Sequence, residues 1–162
     1  MMVAIKTLLF IIFVSGLVMY VIPVFLARLP FPLDFGLGIF RLAGFIPVFA
    51  GFLLYLWCAW DFTFSGKGTP APIAPPKKLV IKGAYRFVRN PMYIGIIMVL
   101  LGEAMVFESF VLLLYALAVF SVVFLFVIYY EEPVLRKEFA RSYTDYCYDV
   151  PRWIPKLCSK DK

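Results

Sequence analysis

The fold this sequence predicts is all-α and membrane-integral: four transmembrane helices, the last two a tight hairpin, followed by a C-terminal amphipathic helix at the interface. Three observations predict it. The 162 residues, one domain's worth, are 64% hydrophobic, 19% aromatic and only 16% charged. A soluble domain of that size cannot hide so much apolar surface. The few charges gather in a handful of places, and between them lie apolar stretches long enough to cross a bilayer.

The first two crossings rest on length. Ala4 to Leu26 carries only Lys6, at its start, and Gly38 to Trp60 carries only Arg41, near its outer, N-terminal end. Both exceed the roughly 20 residues that span a ~30 Å hydrocarbon layer. The first apolar run is too long for a cleavable signal and is followed by no small-x-small site. Pro23 within it predicts a kink, which membrane helices tolerate when neighbours satisfy the freed carbonyl.

The third stretch, Met92 to Phe107, gives about 24 Å of helix and is slightly short. Glu108-Ser109 then interrupts it, and Phe110 to Tyr130 continues without a charge. Together they read as a helical hairpin turning near Phe107 to Ser109. The organisation is thus a single domain over 1–162: two N-terminal spans (1–60), a loop (61–91), the hairpin (92–130) and a tail (131–162). Four crossings put both termini on one side.

Charge says which side. Of 16 Lys and Arg, 14 fall at the N-terminus, in the 61–91 loop or in the tail, and only Arg28 and Arg41 fall opposite. The positive-inside rule makes those three regions cytoplasmic. The net charge of +6 favours an anionic leaflet. It does not indicate nucleic acid, because no basic helix or base-stacking platform accompanies it. Cys58, Cys147 and Cys158 lack metal-ligand spacing, so neither a metal nor disulfides are expected. The chain has no histidine, which removes the commonest general base and metal ligand.

Gly66, Gly68, Pro70, Pro72, Pro75 and Pro76 predict an extended Ser65 to Pro76, read as a loop lying across a pocket. In the tail, Leu135, Phe139, Tyr143 and Tyr146 recur as one apolar stripe, with Arg136, Lys137, Glu138, Arg141 and Asp145 around the rest. Pro133 suits a first helical turn, and Glu131 and Glu132 suit the positive end of a helix. Glu103, near the far end of the third span, reads as structural.

Chemistry concentrates in two clusters. One is Arg89-Asn90-Pro91-Met92-Tyr93-Ile94-Gly95, preceded by Tyr85; the other is Glu131-Glu132-Pro133, running through Tyr143 and Tyr146 to Val150-Pro151-Arg152-Trp153. A hairpin brings them to one membrane face. A cationic-aromatic and an acidic-aromatic cluster meeting there suit a small zwitterionic cofactor. The segment from Gly83 to Gly95 and the later Glu131 to Leu135, Phe139, Tyr143, Tyr146 and Val150-Pro151 resemble the isoprenylcysteine carboxyl methyltransferase and phospholipid methyltransferase family. The likeness covers about residues 68 to 156.

That resemblance implies an integral-membrane enzyme taking S-adenosylmethionine in a cytoplasmic pocket. It implies cofactor-binding roles for Tyr85, Arg89, Asn90, Pro91, Met92, Tyr93, Glu131 and Glu132, with no catalytic residue assigned. Arg152, Tyr143 and Tyr146 are further candidates for substrate binding, Arg152 with Trp153 reading first as an interface anchor. The acceptor is then amphipathic or lipid-linked, prenylcysteine-like or phospholipid-like, and reached from the bilayer. Two departures stand out: Asn90 where many members have histidine, and Ala140 where they have glycine. The second is read as mild, alanine being a good helix former. A nicotinamide-dependent membrane reductase resembling the sterol reductases, and a non-catalytic membrane scaffold, stay open as alternatives.

Overall fold

The computed structural model describes residues 9, 11–29, 36–64 and 79–156, and among these every regular element is helical. The Ser65 to Pro76 loop, the start of the first span and both chain ends lie outside the described residues. Five helices follow one another: α1 (Ile11–Ala27), α2 (Gly38–Phe64), α3 (Pro91–Val106), α4 (Phe110–Phe126) and α5 (Glu132–Asp149). A π-helical turn, Val127–Glu131, joins α4 to α5 without a break. α2 and the continuous Phe110–Asp149 rod are long and apolar enough to cross a membrane, whereas α1 and α3 are shorter apolar helices.

Prolines set the local winding. In α1, Pro23 has no N–H to give, and the turn before it, Leu17–Val21, widens to π geometry, with Ile22 N–H reaching back to Leu17 O. Val18 O thereby loses its helical donor. The Tyr115 hydroxyl of α4 donates to it at 3.1 Å, so the two helices are joined by the carbonyl the proline set free. In α2, the residues before Pro47 wind as a 3₁₀ helix, Gly38–Gly44, and regular α-helix runs from Phe45.

Pro133 acts in the same way on the long rod. It sits in the first turn of α5, and the π turn lies just upstream, with Glu132 N–H bonded to Val127 O. One extra residue per turn advances the register by about 100° relative to a straight helix. Straight continuation from Val119 and Val123 would bring Tyr130 to their face. The π turn brings Glu131 there instead, and Tyr130 is left half exposed.

α2 and α3 pack antiparallel with their backbones almost in contact. Gly44 lies opposite Gly102 and Gly51 opposite Gly95, each pair two turns from the next. A β-carbon on Gly51 would stand 2.5 Å from Gly95 O, and one on Gly102 would stand 2.6 Å from Gly44 O. Only glycine permits that approach, which is how helices without a hydrophobic driving force between them gain dispersion contact in lipid.

α3 ends in a tight reversal. Glu108 adopts a left-handed φ of 51°, its N–H bonds to Met105 O at 3.2 Å, and Ser109 N–H bonds to Ala104 O at 3.0 Å. Ser109 Oγ then accepts from Leu112 N–H and caps α4. A glutamate at this left-handed position offers what a glycine could not, a carboxylate. Its Oε1 accepts Gly38 N–H at 2.8 Å and so ties the turn to the start of α2.

α5 departs from the sequence expectation. It is not one straight helix, because Ala140 breaks it with φ 43° and ψ −116°. Reading the alanine there as mild is therefore wrong: a β-carbon in this conformation costs about 1–3 kcal/mol, and helix propensity does not apply at a kink. Beyond the kink, Tyr143, Tyr146 and Val150 form a small buried cluster against Leu79, Leu135 and Phe139.

Candidate functional site

A cavity of about 460 Å³ opens where α3 begins and α4 ends, a volume typical of small-molecule sites. Its polar end is built from Arg89, Asn90, Tyr93 and Glu131, with Tyr85 and Met92 beside them. Its other wall is apolar: Val14 and Val18 of α1, Ile96 of α3, and Ala118, Val119, Val122 and Val123 of α4. The cavity therefore joins a charged, polar end to a largely apolar wall.

The two adjacent glutamates part company here. Glu132 is 6% exposed and lies outside the cavity lining. Arg152 holds it bidentately, Nε to Oε1 at 2.6 Å and Nη2 to Oε2 at 3.0 Å, and Arg89 Nη1 donates to the same Oε1 at 3.0 Å. Burial pushes its carboxyl upward, but the Arg152 hydrogen bond and the charges of Arg89 and Arg152 outweigh this and hold it below the ordinary glutamate range.

Glu131 faces the other way, into the cavity, where its Oε2 accepts the Tyr93 hydroxyl at 3.0 Å. Burial raises its carboxyl above the ordinary value, the Tyr93 hydrogen bond opposes this, and the Glu132 charge adds to it. The Tyr85 phenol is likewise pushed well up by burial.

Arg89 is pinned rather than spent. Nη1 serves Glu132 and also lies 2.9 Å from Cys147 Sγ, while its buried Nε has no partner. Its backbone N–H donates to Pro151 O at 2.9 Å, and Asn90 Nδ2 donates to Arg152 O at 3.1 Å. Lys156 N–H closes on Phe87 O at 2.9 Å. The tail thus clasps the segment that carries Arg89 and Asn90. Trp153 does not hang free at an interface: its ring packs on Phe120 and Phe124 of α4, with centroids 5.4 and 6.0 Å away.

Of the residues singled out from sequence, Tyr85, Arg89, Asn90, Met92, Tyr93 and Glu131 share the cavity. Pro91 is buried as the first residue of α3. Tyr143 and Tyr146 stand away from the lining, in the tail cluster, and the Tyr146 hydroxyl supports the site from behind by donating to Tyr85 O at 2.7 Å. Sequence reasoning passed over Ser15, Tyr55 and Tyr115, which line the cavity from within the apolar helices. Ser15 and Tyr55 share a hydrogen bond across α1 and α2. A signal for them did exist, because a hydroxyl inside an apolar span needs a partner or a purpose.

No group of three metal-ligating side chains occurs among the described residues. The donor set does fit an amino-acid-bearing sulfonium nucleoside. An unpartnered guanidinium N–H can meet a carboxylate, a carboxylate with a single tyrosine partner can meet a cation or diol, and tyrosine faces can meet a sulfonium.

Residues 39–142 match the family described as phospholipid methyltransferase. No curated protein and no solved structure matches the chain. The matched stretch runs from the start of α2 into α5 and includes every cavity-lining residue except those of α1. Matched over more than half its length, by the part that builds the cavity, the chain belongs to the phospholipid methyltransferase family, methyltransferases that act on lipid-like substrates.

Proposed function

We propose that this protein transfers a methyl group from S-adenosylmethionine to an amphipathic or lipid-linked acceptor at the cytoplasmic membrane face. The observation that carries this reading is the continuity of one cavity, polar at Arg89, Asn90, Tyr93 and Glu131 and apolar between α1 and α4. The bound cosubstrate supplies an electrophilic methyl on a sulfonium. Arg89 takes its carboxylate, Tyr85 and Tyr93 face its positive charge, and Asn90, Met92 and Glu131 complete the wall. Glu132 acts from outside the cavity by holding Arg89, and Arg152 by holding Glu132.

In this reading all four apolar helices cross the bilayer, α3 and α4 as a hairpin, with both termini and the polar mouth cytoplasmic and the basic residues on that side. The acceptor's hydrocarbon lies along Val18, Val119 and Val122, in the apolar part of the cavity. Proximity and alignment of acceptor and methyl supply most of the rate.

Calorimetry of the purified protein in detergent tests it. S-adenosylhomocysteine should bind, and Arg89→Ala should weaken it at least tenfold. Binding of NADPH alone would point to a reductase, and binding of neither would point to a scaffold.

A further inference from the structure

We infer that the clasp formed by the loop 79–90 and the tail 150–156 is a docking surface for an anionic lipid leaflet, and that the leaflet's charge holds the clasp closed. The inference uses the membrane topology proposed above and none of the methyl-transfer chemistry.

Composition sets the clasp apart. Its two segments carry Lys82, Arg86, Arg89, Arg152 and Lys156 and no acidic residue. Arg89 and Arg152 are bound to Glu132. Lys82, Arg86 and Lys156 are exposed, and among the described residues Lys82 and Lys156 enter no ion pair. On the same two segments the protein leaves apolar side chains uncovered: Ile154 is 80% exposed, Ile81 43% and Phe87 39%. Lysines beside bare apolar side chains suit the boundary between headgroups and acyl chains, where the first meet lipid phosphate and the second leave water.

The outer face of α5 is built differently. Lys137, Glu138, Arg141 and Asp145 mix both signs there, all exposed, and Arg141 and Asp145 lie 4.0 Å apart. That is a surface balanced for water. The apolar stripe of α5 packs inside the tail cluster, where Tyr143 and Tyr146 are buried. The clasp, with one sign of charge and open apolar groups, is the part of the tail matched to lipid.

Its height fits as well. Trp153 packs on Phe120 and Phe124, and α4 ends at Phe126. The tail therefore lies beside the last ~9 Å of that span, at the bilayer boundary rather than out in water.

Closure follows from the hydrogen bonds that join the two segments. Lys156 N–H donates to Phe87 O, and Arg89 N–H donates to Pro151 O. Lys82 stands in the tight turn just before Phe87, its carbonyl accepting Tyr85 N–H at 3.1 Å. Each segment thus brings a lysine to the clasp. Like charges oppose the pairing, and a negative surface under both relieves that opposition. The pairing it favours is the one that fixes the backbone of Arg89.

Hydrogen exchange of the full-length protein in lipid nanodiscs tests this, comparing discs of phosphatidylcholine alone with discs that also contain phosphatidylglycerol. At low salt the Arg89 and Lys156 amides should exchange at least about fivefold more slowly in the anionic discs, the factor expected for a single lysine near such a surface. The slowing should vanish at ~1 M salt, where screening acts within about 3 Å. Lys82→Gln/Lys156→Gln should abolish it, whereas Lys137→Gln/Arg141→Gln, which removes the same charge from α5, should keep it. Equal exchange in the two discs, or slowing that survives Lys82→Gln/Lys156→Gln, would overturn the inference. So would slowing reproduced by inorganic phosphate in the zwitterionic discs, which would mean a soluble-anion site. If S-adenosylhomocysteine fails to bind while the slowing is seen, the methyltransferase reading falls and this inference stands.

Discussion

α2 and α3 meet backbone to backbone, whereas α1 and α4 touch chiefly along Ile22–Ala27 and then part around a cavity. The sequences of the two interfaces explain the difference. Along α2 and α3, glycines recur every two turns on both helices, so the seam closes completely. Along α1 and α4 the residues facing the cavity are valines, an alanine, a serine and a tyrosine, with no glycine seam to bring the backbones together. One wall is a rigid support, and the other is where a hydrocarbon tail can enter.

The largest effect expected from this contrast comes from filling the seam. Gly95→Leu places a branched side chain where even a β-carbon would lie 2.7 Å from Gly51 O. It should cost about 3 kcal/mol or more, read as lost monodisperse protein or a collapsed melting temperature. Adding the same bulk to the cleft, as Ala118→Leu, should leave stability within about 0.5 kcal/mol while weakening acceptor binding, which calorimetry would read.

Between these extremes lies the clasp at the polar end. Glu132→Gln leaves Arg89 and Arg152 without their counterion; discounted for the partial exposure of Arg152, the cost should be about 2–3 kcal/mol in denaturant unfolding. The pH dependence has a definite sign. The folded-state pKa of Glu132 is lowered, so its contribution is fully present above the ordinary glutamate value of about 4.3 and is lost as pH falls through the folded value. That of Glu131 is raised, so its contribution is lost as pH rises. Neighbouring glutamates should thus respond oppositely at neutral pH: Glu131→Gln raises the melting temperature and Glu132→Gln lowers it.

The smallest effect is a gain. Ala140→Gly relieves a φ of 43° at an exposed kink and should stabilise the protein by about 1 kcal/mol, visible as a modest rise in melting temperature. No change would mean that the alanine carries no strain.

Much of the helical layout was legible because apolar length and charge interruptions are one-dimensional signals. Ser109 before an uncharged run and Pro91 before another mark helix starts in any context. The glycine seam was equally written in the spacing of Gly44, Gly51, Gly95 and Gly102, but its meaning depends on the two helices lying antiparallel in one register. The division of labour between Glu131 and Glu132 was not legible. It depends on a π turn that shifts the rod by one residue, and on Arg152 reaching back from a tail whose path is set by the Ala140 kink. Helix periodicity contains neither fact.

The most direct test is an experimental structure of the protein with S-adenosylhomocysteine bound. Ligand density should fill the polar end of the cavity, its carboxylate on Arg89 and Glu131 on its wall, with Glu132 still held between the two arginines. Density at Glu132 in place of Arg152, or a ligand bound anywhere outside the space between α1, α3 and α4, would contradict the account.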